Sequence, residues 1–147
     1  MLYKELLAEK RPCPFCAGKD KIVKQTQFAY LTYALAPYTK NHLLIVPKRH
    51  IESLHDVTRN EMDDILDLQH FGIGLIQSLG NSSVTALVRE GEKTGQSVKH
   101  IHYHLIPDIR IGDLDHNGNE RKILDSVEVQ QVYEELSKAA KVYEARL

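Results

Sequence analysis

Three histidines at alternate positions constrain the fold of this chain more than any other feature: His100, His102 and His104. On a strand, residues two apart point to the same face, whereas on a helix they point to nearly opposite sides. The intervening Ile101 and Tyr103 and the following Leu105 are apolar and favour β structure. Pro107 has no N–H for the ladder and therefore ends the strand. The pattern predicts a strand with three imidazoles on one face and a hydrophobic core behind the other.

This three-histidine face is compatible with more than one chemistry. A plain polar surface is disfavoured, because neighbouring imidazolium charges would repel one another. A His-x-His pair can bind one metal ion, although three residues spread over about 13 Å cannot all reach it without a bend. Alternatively, one imidazole acts as a nucleophile, and its neighbours act as ligand, orienting group or proton donor.

The turn just before the strand favours the nucleophile: Gly95, Gln96 and Ser97. A glycine allows close approach of the backbone, and successive N–H groups together with a hydroxyl suit a phosphate. The sequence therefore predicts a phosphate site beside the imidazoles.

The only two cysteines, Cys13 and Cys16, form a Cys-x-x-Cys pair flanked by Pro12 and Gly18. In a reducing compartment such a pair is half a metal site or a redox dithiol, and two plain buried thiols are a third reading. A redox dithiol is expected to open a helix in a βαβ unit, whereas prolines and a glycine indicate a knuckle over about residues 11–18. Half a metal site needs two more ligands, which histidines can supply.

Hydrophobic patterning predicts the remaining elements. Three further strands are expected over residues 27–35, 43–46 and 83–89. Thr58 and Glu61 form a capping box that opens the longest helix, and Gly80 suits the position after its end. Other helices are expected over residues 2–9 and about 127–145, and residues 113–118 are interpreted as a solvated loop.

These elements predict an α+β fold. Consecutive strands with short links make an antiparallel meander, on which the long helix packs, with the C-terminal helix added. A chain of 147 residues fits one domain, so residues 1–147 are expected to fold together.

Composition narrows the partners. The net charge of -1 gives no basis for an extended nucleic-acid surface, so a phosphate ligand must be met locally. No apolar run approaches the roughly 20 residues of a membrane span, and the first residues lack a signal-peptide core. We expect a cytoplasmic protein without membrane contact.

The segment from Gly95 to Pro107 resembles the signature of the histidine triad (HIT) superfamily of nucleotide hydrolases and transferases. The resemblance extends to His42–His50 and covers most of residues 12–107. It implies that His102 attacks the α-phosphorus, that His104 binds phosphate oxygens and that His42 supports the triad. It also implies that Ser97, with the backbone of Gly95 and Gln96, holds the phosphate.

The same resemblance implies a structural zinc site and a homodimer. By resemblance to zinc-bearing HIT proteins, His50 and His100 of this chain would join Cys13 and Cys16 in a closed tetrahedral site. Without zinc, His100 would instead orient His102 through the neighbouring backbone. The dimer would join the sheets of two subunits across its interface.

Three positions depart from the pattern of the family. Ala34 stands where an aspartate usually grips the ribose, Arg89 where an amide usually lies near the phosphate, and Asp108 where many members carry arginine. Arg89 is expected to favour substrates with more phosphate if it points into the pocket, or else to face solvent or pair with Glu90 or Glu92.

The sequence thus predicts a hydrolase, or nucleotidyl transferase, acting at the α-phosphate of nucleoside phosphate derivatives. Dinucleoside polyphosphates and nucleoside phosphoramidates are the expected substrates, and a nucleotidyl-histidine is the expected intermediate. Two alternatives are a nucleotide-sensing or partner-binding module with little turnover, and a metal-dependent hydrolase that uses the His-x-His pair.

Overall fold

The structure, a computed structural model, describes five stretches of the chain: residues 2, 5, 12–17, 22–111 and 123–146. The chain divides into two compact units between Ile111 and Gly112, and each is described by itself. The helix predicted over residues 2–9 lies outside the described residues apart from Leu2 and Glu5, and the loop predicted over 113–118 lies wholly outside them. A single domain over the whole chain stays a prediction.

One five-stranded antiparallel sheet forms the first unit: β1 (Lys24–Gln25), β2 (Ala29–Tyr33), β3 (Leu43–Pro47), β4 (Val84–Val88) and β5 (Tyr103–Pro107). The strand order is β1-β2-β3-β5-β4, so the first three strands follow the predicted meander and β5 lies between β3 and β4. A 20-residue helix separates β3 from β4, so no tight turn forces these two strands to pair. The predicted α+β class is confirmed.

Within the described residues, the first unit also contains the α-helices α1 (Pro14–Ala17) and α2 (Arg59–Ser78), and the second unit contains α3 (Ser126–Glu144). As predicted, Thr58 caps α2 in a reciprocal capping box with Glu61, and Gly80 follows its end with φ of 95°. Asp125 caps α3 in the same way, so this helix agrees with its prediction to about one residue. Within the described residues, no helix has the length and apolar character needed to cross a membrane.

Helix α2 covers one face of the sheet. Its buried Ile65, Leu68 and Ile76 join apolar side chains of β2, β3 and β5 in the main core. At Gly72 a Cβ atom would lie 2.6 Å from Cδ1 of Leu105, so any larger residue would force the Leu105 side chain or the helix to shift. This packing holds β5, the strand that carries His104.

Strand β5 begins later than the histidine pattern predicts. It pairs with β3 only from Leu43–Leu105 to Ile45–Tyr103, so His100 and His102 precede the strand. The Ile101 N–H donates instead to the carbonyl of Ile51, at 2.7 Å. The segment with the first two histidines is therefore held by the loop after β3 rather than by the sheet.

Candidate functional site

A cavity of about 550 Å³ lies where the loop before β5 meets β2 and β3. All residues predicted for catalysis and substrate binding line it: His42, Arg89, Gly95, Gln96, Ser97, His102 and His104. These residues come from four separate parts of the chain, and the fold brings them to one place. The volume falls within the usual range for small-molecule sites.

His102 is held as a single tautomer. Its Nδ1 lies 2.9 Å from the carbonyl oxygen of His100, and since a carbonyl only accepts, Nδ1 carries the proton. The neutral ring therefore keeps a lone pair on Nε2. Burial lowers the pKa of His102 and so does the charge of Arg89, although the bond to His100 opposes them. A neutral imidazole with Nε2 unprotonated is the nucleophilic form.

A second chain of hydrogen bonds fixes His42 and His104. The Tyr38 N–H donates to Nδ1 of His42 at 3.1 Å, so His42 carries its proton on Nε2. That Nε2 lies 2.9 Å from Nδ1 of His104 and donates to it, which leaves the proton of His104 on Nε2. Burial first, and then nearby positive charge, lowers the pKa of His42 to about 4 and that of His104 to about 3. Both rings are neutral at pH 7, and His104 can donate to a phosphate oxygen.

Arg89 lies in the cavity lining, and its charge contributes to the lowered pKa values of His42, His102 and His104. The carboxylate of Glu90 accepts the N–H of Leu54 instead of pairing with Arg89. Among the described residues, no carboxylate forms an ion pair with Arg89. Of the two alternatives that the sequence left open, a position in the cavity lining favours the one in which Arg89 points into the pocket, which stays a prediction.

The cavity is cationic although the chain as a whole is not. Arg89 and Lys99 are the lysine and arginine residues in its described lining, and that lining contains no aspartate or glutamate. A charge of one sign in a concave site raises the local concentration of ligands of the opposite sign. The cavity therefore suits an anionic ligand.

The turn before β5 bonds largely to itself. The Gln96 side chain accepts the Gly91 N–H at 2.8 Å and donates to the Lys99 carbonyl at 3.1 Å, so it connects the two ends of the loop. The Gly95 N–H donates to Glu92 at 3.0 Å, and the Gln96 N–H donates to Gly91 at 3.4 Å. Phosphate binding by these two N–H groups requires those bonds to be exchanged. The sequence did not indicate that the Gln96 side chain connects the two ends of the loop.

The two cysteines meet two histidines beside the cavity. Sγ of Cys13 lies 3.4 Å from Nδ1 of His100, and Sγ of Cys16 lies 3.4 Å from Nδ1 of His50 and 3.5 Å from Nδ1 of His100. All four donor atoms lie within 4.8 Å of one another. In a tetrahedral zinc site, metal–ligand distances of about 2.3 Å for sulfur and 2.0–2.1 Å for nitrogen place S and N about 3.5 Å apart. The four residues fit a metal ion.

The imidazoles of this cluster are oriented as metal ligands. Nε2 of His100 donates to the Pro47 carbonyl at 2.8 Å, and Nε2 of His50 bonds to a carboxylate oxygen of Glu52 at 3.2 Å. Each bond leaves the lone pair on Nδ1, which faces the thiols. Outer partners of this kind fix the tautomer of metal-binding histidines. Since a redox dithiol needs no such pair, the arrangement favours the metal reading of the Cys-x-x-Cys pair.

Phe15, in α1 between the two cysteines, is a site residue that sequence reasoning missed. Its ring centroid lies 4.9 Å from that of His102, with the planes at 53°. It also lies 5.7 Å from the ring of His100, edge to face at 80°. Its position inside the Cys-x-x-Cys pair was the available signal, since ligands at both sides place it beside the cluster.

The other two unusual residues differ in location. Ala34 is 9% exposed and lines the cavity, where its methyl group offers no hydrogen-bond acceptor. Asp108 is absent from the described lining, and its carboxylate accepts bonds from Asn81, Ser82 and Ser83, just before β4. These bonds, that from Asn81 first, lower the pKa of Asp108 to about 2. Asp108 therefore has a structural role in joining β4 to the end of β5.

Comparison with known proteins gives concordant matches. The HIT domain family model matches residues 17–110. A bis(5'-adenosyl)-triphosphatase of Dictyostelium discoideum is 25% identical over 126 residues, which cover 85% of this chain and 84% of that protein. An adenosine 5'-monophosphoramidase of Schizosaccharomyces pombe is 30% identical over 100 residues, which cover 65% of this chain and 73% of that protein. The fold is similar to that of a histidine triad nucleotide-binding protein from Candida albicans, with a TM-score of 0.71 and 24% identity. The match covers 88% of this chain and 96% of that protein.

Proposed function

The chain belongs to the HIT domain family, and from that premise we propose that it hydrolyses nucleoside phosphate derivatives at the α-phosphate through a nucleotidyl-histidine. Its relatives are named for cleaving a dinucleoside triphosphate and a nucleoside phosphoramidate. The observation that carries the proposal is the hydrogen bond from Nδ1 of His102 to the His100 carbonyl. That bond leaves a lone pair on Nε2 of a neutral, buried imidazole in a cationic cavity.

In the first step, the Nε2 lone pair of His102 attacks the α-phosphorus. A P–N bond forms, the bond to the leaving group breaks, and the leaving group keeps the electron pair. The imidazole ring becomes cationic, and the His100 carbonyl stabilises this charge because it accepts from Nδ1–H. His104 donates from Nε2 to a phosphate oxygen, while Ser97 lies in the same cavity lining.

In the second step, water attacks the same phosphorus. The P–N bond breaks, its electron pair returns to Nε2, and a nucleoside monophosphate leaves while one proton of the water passes to solvent. A phosphate leaving group departs as a stable anion, whereas an amine requires a proton. Arg89 and Lys99 favour the anionic leaving group, so dinucleoside polyphosphates are the preferred substrate class. With Ala34 in place of a carboxylate, ribose hydroxyls are recognised less strictly.

Cys13, Cys16, His50 and His100 bind one structural zinc ion. The donor set of two thiolates and two imidazoles is typical of closed tetrahedral sites, which keep no position for water. When bound, the ion supplies a cross-link and no chemistry of its own. The zinc ion would connect α1 and the segment around His100 to the loop after β3, and so stabilise their positions.

A homodimer that joins two copies at the edge of the sheet is part of the same proposal. Within the described strands, β4 pairs only with β5, so one side of its backbone can accept a further strand. A second copy paired at this edge joins the two sheets, as the family resemblance implies. The cytoplasmic location stays a prediction.

The test is hydrolysis of a dinucleoside triphosphate and of a nucleoside phosphoramidate by the wild type, His102→Ala and His70→Ala. The control residue His70 is exposed on α2, away from the cavity. We expect His102→Ala to lose at least about a thousandfold in turnover, the scale of a lost nucleophile. Full activity of His102→Ala would exclude the covalent mechanism. In the wild type, a nucleotidyl adduct that forms in one burst without steady release would instead indicate a nucleotide-sensing module.

A further inference from the structure

We propose that Phe15 is a positioning residue, which couples the Cys13–Cys16 cluster to the nucleophile His102. The proposal rests on the function proposed above for His102. It assigns to the cluster a role in turnover in addition to its role in stability. The coupling uses the aromatic ring of Phe15 and the backbone carbonyl of His100, which both contact the His102 imidazole.

The ring of Phe15 touches both partners. Its centroid lies 4.9 Å from the His102 ring and 5.7 Å from the His100 ring. Both distances fall within the 4.5–7 Å range of favourable aromatic pairs, and both arrangements are tilted or edge-to-face rather than flat sandwiches. A single side chain thus packs between the nucleophile and a member of the cluster.

The backbone of Phe15 is fixed from two sides. Cys13 and Cys16 flank it in the sequence, and their sulfur atoms lie 3.4–3.5 Å from the imidazole nitrogens of His50 and His100. The Phe15 carbonyl also accepts the hydroxyl of Tyr30 at 2.8 Å, and Tyr30 is a core residue of β2 that is 2% exposed. Occupation of the cluster therefore determines where the Phe15 ring can lie.

His102 needs this second contact. Its one described hydrogen bond, from Nδ1 to the His100 carbonyl, holds one edge of the imidazole, and a swing of the ring about its side-chain bonds would break that bond. The rings of Phe15 and His104, each with its centroid 4.9 Å away, are the aromatic neighbours that oppose such a swing. Packing against Phe15 restricts the swing and so sets the direction of the Nε2 lone pair. Misplacement of a reacting group by about 1 Å can cost about a hundredfold in rate.

Two simpler roles for Phe15 make different predictions. Phe15 lines the cavity. If contact with the substrate were its only role, its loss would raise KM. Phe15 also packs against the buried cluster of Tyr30, Ala34, Leu44 and Val46. If filling this core were its only role, its loss would lower Tm alone. Positioning of the nucleophile instead predicts a lower kcat at unchanged KM.

The experiment compares Phe15→Leu, Phe15→Tyr and the control Phe28→Leu on a dinucleoside triphosphate. Phe28 is a second half-buried phenylalanine, and it lies outside the cavity lining. Steady-state kinetics, single-turnover formation of the adduct and zinc content are measured for each protein. We expect Phe15→Leu to lower kcat and the rate of adduct formation by about ten- to a hundredfold, with KM and zinc content unchanged. Phe15→Tyr, which keeps the ring, should restore most of the loss, and Phe28→Leu should match the wild type.

A double-mutant cycle with Cys16→Ser tests the coupling itself, at a temperature where all variants remain folded. If the cluster acts through Phe15, the double variant should be little slower than Cys16→Ser alone, because the two changes break the same connection. Fully additive losses overturn the coupling, as does a wild-type kcat in zinc-loaded Phe15→Leu, or a change confined to KM or Tm.

A readout without turnover separates this proposal from the proposed function. The ¹⁵N shifts of the His102 imidazole report which nitrogen carries the proton. We expect the Nδ1–H tautomer to dominate in the wild type and Phe28→Leu, and to be mixed with the other tautomer in Phe15→Leu. If the wild type cleaves no nucleotide derivative, the proposed function fails, and these shifts still decide whether Phe15 positions His102: an unchanged tautomer in Phe15→Leu rejects it.

Discussion

Nε2 of His42 lies 2.9 Å from Nδ1 of His104, although 62 positions separate the two residues in the sequence. The Tyr38 N–H, bonded to the other nitrogen of His42, sets the direction of this bond. The Tyr38 amide therefore determines, through the His42 ring, which nitrogen of His104 carries the proton. Protonation of either ring at low pH breaks this order, because a donor would then face a donor.

This relationship predicts how stability depends on pH. The folded-state pKa values of His42 and His104, about 4 and about 3, lie below the ordinary 6.5, so the unfolded chain takes up protons first. Their contribution to the free energy of unfolding is present above pH 6.5 and is lost as the pH falls toward 4 and 3. We expect Tm to fall over this window. His42→Gln should flatten the fall, and His70→Gln, at an exposed position, should leave it as in the wild type. Equal slopes for all three proteins would contradict this account.

Metal binding predicts a stoichiometry and a change in stability. We expect elemental analysis to find about one zinc ion per chain, since the four donors close one site. His50→Ala should lose the ion and lower Tm, because a structural metal contributes directly to folding. The matched control is His55→Ala, an exposed histidine five residues further along. A metal-free protein with wild-type Tm would refute the site. A chelator that abolishes activity without lowering Tm would favour a catalytic metal over a structural one.

Arg89 predicts a preference for substrates with more phosphate. A hydrogen bond to a charged group contributes about 1.5–3 kcal/mol, which corresponds to about ten- to a hundredfold in rate. We expect Arg89→Gln to lower kcat/KM for a dinucleoside triphosphate by this factor and to affect a nucleoside phosphoramidate much less. Arg59→Gln, at the exposed start of α2, serves as the control for loss of one positive charge. Equal losses on both substrates would show that Arg89 does not discriminate between leaving groups.

Ala34 predicts weak recognition of the sugar. The cavity wall at this position carries a methyl group, so ribose hydroxyls find no carboxylate there. We expect Ala34→Asp to raise the preference for ribose over 2'-deoxyribose substrates by about tenfold, the scale of one hydrogen bond to a charged group. Ala36→Asp, which adds the same carboxylate elsewhere on the lining, should not raise this preference. No gain in Ala34→Asp would place the sugar away from residue 34.

The sequence by itself determined the features that depend on near neighbours in the chain. The capping box of Thr58 and Glu61 forms within one helical turn, so its residue types suffice to predict it. The Gly95–Pro107 motif likewise identified the family, because its residues act together over one short segment. The knuckle predicted around the Cys-x-x-Cys pair stays a prediction, and the structure has the short helix Pro14–Ala17 at that place.

Only the tertiary structure decided the features that depend on contacts between distant segments. The start of β5 at Tyr103 follows from the Ile101 bond to Ile51, which no local pattern encodes. That Arg89 lines the cavity while the neighbouring Glu90 bonds to the N–H of Leu54 likewise depends on contacts that only folding creates. The proton position on His104 depends on the imidazole of His42, which lies 62 positions earlier in the sequence and is brought close by folding. Hydrogen-bond partners, burial and charge are properties of the packed molecule, and they set the chemistry of residues that the sequence can only name.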